Sequence, residues 1–83
     1  QSLTETVVNE HEYIFSGRLE VDYLNEKYHI DLQENEEYET LAGYVLYYNE
    51  SIPVEGERIE INGIVFEVLS VKNARIEEIK VIV

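Results

Sequence analysis

Cysteine is absent from this chain, which excludes a disulfide scaffold and a thiolate metal site and leaves packing alone to hold the fold. The missing thiol also removes one class of catalytic nucleophile. Basic residues are scarce: six Lys and Arg stand against 18 Asp and Glu, for a formal charge of −12. Binding a phosphate backbone depends on Lys and Arg displacing counterions, so this balance argues against nucleic acid as a partner. It disfavours an anionic membrane leaflet for the same reason. Solubility is the ordinary use of such a charge; cations and basic partners are the functional ones. Long apolar runs are missing too, since none approaches the roughly 18–20 residues that span a bilayer. No secretory leader is visible. No glycine-rich loop of the Gly-x-Gly-x-x-Gly or Gly-x-x-x-x-Gly-Lys-Ser/Thr kind is present to cradle phosphate, and no Gly-x-Ser-x-Gly elbow to expose a serine. Together these absences predict a protein that is not an enzyme.

What is present suits one small domain. Eighty-three residues with 45% hydrophobic content allow a single modest core. The chain opens on Gln1 rather than Met, which predicts an excised part of a longer protein or a processed end.

The organising stretch is Thr40-Leu41-Ala42-Gly43-Tyr44-Val45-Leu46-Tyr47-Tyr48. Leu41, Tyr44, Val45 and Tyr48 fall at i, i+3, i+4 and i+7, one face of a helix. Thr40 is its expected N-cap, the hydroxyl accepting from a first-turn N–H. Gly43 should cost about 1 kcal/mol relative to Ala in a helix interior, which predicts that another backbone passes close by. Ile52-Pro53 marks the downstream limit.

Taken in order, residues 1–11 show no period and read as a weakly attached lead-in, with the domain proper over 12–83. Glu12 to Ser16 is aromatic and β-branched and reads as a strand ended by Gly17. A short helix follows from about Glu20 to Tyr28, with Val21, Leu24 and Tyr28 on one face. After the central helix, Arg58 to Ile61 alternates as a half-buried strand. Asn62-Gly63 is a type I′ hairpin signal, Ile64 to Val71 returns, Lys72-Asn73-Ala74 turns again, and Arg75 to Val83 completes a meander. On that last strand Ile79, Val81 and Val83 are expected on one face. The fold class predicted is α+β in the order β-α-α-β-β-β, a small antiparallel sheet with two helices packed on one face.

Three features carry possible chemistry. His11 and His29 are far apart and in no metal-ligand spacing, and read as ordinary residues. Glu34, Glu36 and Glu37, with Glu39, crowd before the central helix. Hard divalent cations want such oxygens, but the spacing that wraps one ion is lacking, and acidic groups near a helix N-terminus also complement its dipole. Tyr44, Tyr47 and Tyr48 cannot all point inward from one helix. Core packing is the expectation for Tyr44 and Tyr48, and Tyr47 is the candidate contact residue for a partner or a second copy.

The set Gly17-Arg18, Leu24-Asn25, Thr40 to Leu46, Ile52-Pro53, Gly56-Glu57, Phe66-Glu67-Val68 and Arg75-Ile76 resembles the CorC/HlyC transporter-associated domain, from about Tyr13 to Val83. The resemblance departs at Ser16, where relatives often carry aspartate, and at Asn49-Glu50-Ser51. It implies a fold like that of FAD-binding, transporter-associated domains. It also implies a C-terminal module that follows CBS domains, and often a membrane domain, in hemolysin-like or magnesium and cobalt efflux proteins. The expected partners are then those neighbouring CBS and membrane domains or a second copy. The expected location is the cytoplasmic side of the bacterial inner membrane. No cofactor is expected. The alternatives are a sensor that binds FAD, an adenine nucleotide or a divalent cation, and a structural dimerisation cap.

Overall fold

The computed structural model describes residues 2–83, in the order β1 (Glu5–Val7), β2 (Glu12–Ser16), α1 (Val21–Tyr28), α2 (Leu41–Asn49), β3 (Arg58–Ile61), β4 (Ile64–Lys72) and β5 (Arg75–Ile82). The strands form one antiparallel sheet of five, ordered β1-β2-β5-β4-β3. Tyr13, Val81 and Phe66 are cross-strand partners, as are Phe15, Ile79 and Val68. All six are buried, so these two rows form the inner face. Both helices cover that face. The ring of Tyr28 in α1 lies 5.1 Å from Tyr13 and 5.2 Å from Phe15, and the ring of Tyr44 in α2 lies 5.5 Å from Phe66.

The stretch expected to be a lead-in contains a strand. Gln1 lies outside the described residues, but Glu5–Val7 is an edge strand, pairing Glu5 with Phe15, Thr6 with Ile14 and Val7 with Tyr13. A strand this short has no period to detect, and its partner lies beyond a tight turn at Val8–His11. There Val8 and Asn9 N–H both donate to the Glu12 carbonyl, at 2.9 and 3.2 Å.

The two hairpins of the meander share a device. Asn62 (φ 51°) and Gly63 (φ 83°) close β3–β4, and Asn73 (φ 52°) and Ala74 (φ 62°) close β4–β5, the consecutive positive angles that a two-residue turn of primed type requires. Between them the ladder slips at Val68/Ser70 and again at Ser70/Val71. That is why Ile76 and Ile79, three apart, are both buried, where strict alternation would put them on opposite faces. Val83 does not join Ile79 and Val81 inside: it lies beyond the end of β5 and is 44% exposed.

Thr40-Leu41-Ala42-Gly43 launches α2 with every leading amide satisfied. Leu41 N–H donates to Leu19 O and Ala42 N–H to Gly17 O, both at 2.9 Å, and Gly43 N–H donates to Thr40 Oγ1 at 3.1 Å. The orphan donors of a helix start are thus consumed by the β2–α1 link and by the cap. At Gly43 the tight neighbours of an added Cβ would be side-chain atoms, Tyr38 Cβ at 3.1 Å and Thr40 Oγ1 at 3.3 Å, while the nearest backbone atom, Tyr38 Cα, lies at an ordinary 3.9 Å. α1 starts from Glu20 without a side-chain cap, and Val21 N–H donates to Glu39 O at 2.9 Å. The two helix starts are thereby tied together, with Glu20 and Thr40 bridged.

Candidate functional site

Most residues of the recognisable motif build the fold and are not available to a ligand. Asn25 brackets Leu32 as a strand would: its Nδ2 donates to Leu32 O and its Oδ1 accepts from Leu32 N–H, each at 2.7 Å. Gly56 N–H donates to Val68 O at 2.7 Å and Val68 N–H to Glu57 O at 2.9 Å, which pins the Pro53–Glu57 turn to the middle of β4. Phe66, Val68 and Ile76 are core.

The tyrosines of α2 divide as the helix geometry demands. Tyr44 is fully buried, so its ring is not available to a partner. Its hydroxyl is also buried and lacks a hydrogen-bond partner, and burial pushes its pKa up. The Asn62 amide lies toward it without closing a hydrogen bond. Tyr48 is half-buried against the core. Tyr47 is 45% exposed. The residue that sequence reasoning passed over is Tyr38, buried in the loop before α2 with no periodic context to announce it. Its ring lies 5.4 Å from Tyr44, 5.3 Å from Tyr47 and 6.0 Å from Tyr48. Its hydroxyl donates to Gln33 O at 2.5 Å and sits 3.3 Å from the Tyr48 hydroxyl. Burial, then Tyr48, raises its pKa. The result is an aromatic cluster in which Tyr47, stacked edge-on against Tyr48 at 5.0 Å, is held in place from beneath while its outer side meets solvent. Ile52 and Val54, in the loop that follows α2, are also exposed.

The acidic loop does not converge. Glu34, Glu36 and Glu37 are all exposed. Glu34 Oε2 accepts from Asn25 Nδ2 at 3.2 Å, and Glu37 is used through its N–H, which donates to Asn35 Oδ1 at 2.9 Å. Among the described residues, no three His, Asp or Glu stand close enough to hold a metal ion. No acidic residue enters the first turn of α2, so the loop sits just outside the position from which it would best complement the dipole. His11 is exposed, and His29 caps α1 in the left-handed region (φ 56°).

Half of the six Lys and Arg residues are in ion pairs. Lys27, Arg58 and Lys80 pair with Glu5, Glu67 and Glu12. Arg18 and Lys72 share a cavity of about 470 Å³, but Glu77 and Glu78 face the same space, so charge there is balanced. A wider, open groove of about 870 Å³ is bordered by Asn25, His29, Asp31, Gln33, Glu34 and Asn62. No helix of the described residues is long and apolar enough to cross a membrane.

The chain matches the CorC_HlyC transporter associated domain over residues 6–83. It is 27% identical to the protein YegH of Escherichia coli over 67 residues, which cover 81% of this chain and 13% of that protein. The chain therefore spans about one eighth of the length of the curated relatives it matches. A transporter associated domain from Nitrosomonas europaea superposes with a TM-score of 0.83 at 27% identity, covering 98% of this chain and 96% of that one. The corresponding domain of a Xylella fastidiosa hemolysin, in complex with Mg²⁺ and Mn²⁺, gives 0.75 at 25% identity, with 93% and 92% covered. A five-stranded antiparallel sheet carrying two helices is thus the common frame, and the chain belongs to the CorC/HlyC transporter-associated domain family.

Proposed function

We propose that this domain is a non-catalytic regulatory module of a larger cation-transport or hemolysin-like protein, and that it works by contact with neighbouring domains or a second copy. On this reading it stands on the cytoplasmic side of the membrane, beside CBS and membrane domains. Tyr47 is the observation that carries the proposal. A large amphipathic ring, 45% exposed yet braced by Tyr38 and Tyr48, binds a partner at low entropic cost because its orientation is already set. Interfaces draw heavily on tyrosine for that reason. The chain's descent from a transporter-associated family supports the wider context. The test is Tyr47→Ala in the full-length protein, read out as ion flux and as association of this domain with the remainder. Unchanged flux together with unchanged association would remove Tyr47 from the interface.

A second reading, direct binding of a divalent cation, is favoured by the Mg²⁺ and Mn²⁺ found with the Xylella domain and by the −12 charge here. Thermal-shift titration with Mg²⁺, Mn²⁺, Co²⁺, AMP, ATP and FAD at matched ionic strength separates the two readings. A ligand at 100 times its Kd adds roughly 2.7 kcal/mol, several degrees for a domain this size. A saturable shift with one ligand would replace the contact reading by a sensor.

A further inference from the structure

Edge strand β1 differs from the rest of the sheet in what holds it. None of residues 2–12 is buried, and the core begins at Tyr13. Tyr13 and Phe15, the β2 residues beneath the helices, pack against the ring of Tyr28 in α1. What fastens β1 is polar. Ser16 N–H donates to Thr4 O at 2.7 Å, and Val8 N–H donates to Glu12 O at 2.9 Å. Thr4 Oγ1 donates to Glu78 Oε2 at 2.6 Å.

Glu5 is the centre of this attachment. It pairs with buried Phe15 across the strands, so its side chain lies on the helix side of the sheet, an inward-facing charge on an edge strand. Its carboxylate collects three donors from α1. Tyr28 Oη lies 2.5 Å from Oε2, Tyr23 Oη 2.8 Å from Oε2 and 3.0 Å from Oε1, and Lys27 Nζ 2.9 Å from Oε2. Lys27 in turn lies over the rings of Tyr23 and Tyr28, at 5.6 and 5.5 Å from their centroids. Hydrogen bonds to a charged acceptor are about twice as strong as neutral ones, and an inward charge on an edge strand disfavours unguided edge-to-edge pairing.

We propose that β1 is a releasable latch on the β2 edge of the sheet, fastened to α1 through Glu5 and able to open as a unit while the sheet beneath it stays folded. Opening frees the even-numbered amides of β2 and withdraws no buried residue from the core, since none of residues 2–12 is buried. The state it reaches is a four-stranded sheet, β2-β5-β4-β3, with β2 as its edge strand.

Residue-resolved hydrogen exchange on the intact chain tests this, comparing wild type with Glu5→Gln and Tyr28→Phe. Glu5→Gln keeps the size of the side chain and removes its charge; Tyr28→Phe keeps the ring and removes one donor. The Ser16 amide, and the Ile14 amide opposite Thr6, should exchange about tenfold faster or more in Glu5→Gln. They should move in the same direction, by a smaller factor, in Tyr28→Phe. The Ile79 and Val81 amides of central strand β5 should be unaffected in both. Equal acceleration at all four amides would show that β1 opens only with the whole sheet. Unchanged rates at Ile14 and Ser16 in both variants would show that Glu5 does not hold it. Either result overturns the latch.

Discussion

The carbonyl oxygen of Ile76 stands 2.4 Å from where a Cβ on Gly17 would begin. Gly17 N–H donates to Glu77 O at 2.8 Å and Gly17 O accepts from Ala42 N–H at 2.9 Å, so this glycine is wedged where β2, β5 and the start of α2 meet. Its φ is not in the left-handed region, which leaves the close approach as its reason for being glycine. Ala42 Cβ, at 2.9 Å from the same point, closes the other side. Gly17→Ala therefore forces backbone apart at a three-element junction. We expect a loss of about 2–3 kcal/mol, the upper part of the overpacking range. Urea unfolding should show a lowered midpoint and an unchanged m-value.

Tyr44 leads to the opposite sign. Its ring packs against Phe66, Tyr38 and Tyr48, while its hydroxyl is buried without a partner. An unsatisfied buried hydroxyl forfeits its hydration and receives nothing in exchange. Tyr44→Phe keeps every ring contact and removes that cost. Stability should rise by about 1 kcal/mol, which a thermal melt reads as a Tm roughly 4–8 °C higher for a domain of this size. A fall in Tm would mean that the hydroxyl is hydrogen-bonded in solution.

These two residues show where the sequence is readable and where it is not. The bounds of β2 and β3, the Thr40 cap and the Asn62-Gly63 turn follow from local chemistry, and the structure keeps them. Local chemistry could not find β1, because Glu5 is anchored by partners 18 to 23 residues away. Nor could it find the ladder slips that put both Ile76 and Ile79 inside. The exposure of Tyr47 was legible from helical phase alone. Tyr38, which braces it, was not, since a loop residue has no phase. Density of charge made Glu34, Glu36 and Glu37 conspicuous, but density in sequence is not convergence in space.

Ala74 occupies a conformation suited to glycine. Its φ of 62° in the β4–β5 turn costs a residue with a Cβ about 1–2 kcal/mol, and the position is exposed, with no packing to compensate. Glycine relieves that strain and gives back part of the gain through the entropy of its unfolded state, roughly 0.5–1 kcal/mol. Ala74→Gly should therefore stabilise by about 0.5 kcal/mol. Ala74→Val, with a branched Cβ at the same angle, should destabilise. Paired denaturant titrations of the two variants give the order directly: Gly above wild type, Val below it.

Glu5 makes the attachment of β1 dependent on pH, with a sign that can be worked out. The hydroxyl of Tyr28 and the ammonium of Lys27 hold its carboxyl at about 2, down from an ordinary 4.5. Contact with Glu5 raises the pKa of Lys27, and burial, then Glu5, raises that of Tyr28. A folded-state pKa below the unfolded one means that the unfolded chain binds the proton more readily, so acid draws the equilibrium toward unfolding. The stabilisation from Glu5 is complete above about pH 5, fades as pH falls below 4.5, and is gone near pH 2. Many other carboxylates titrate in the same window, so the quantity to measure is the stability of wild type minus that of Glu5→Gln, which cannot titrate at this position. That difference should be flat from pH 7 to about 5 and shrink steadily between 4.5 and 2. A difference that stayed constant down to pH 2 would mean that the carboxylate keeps no preferential hold on its proton-donating neighbours in the folded state.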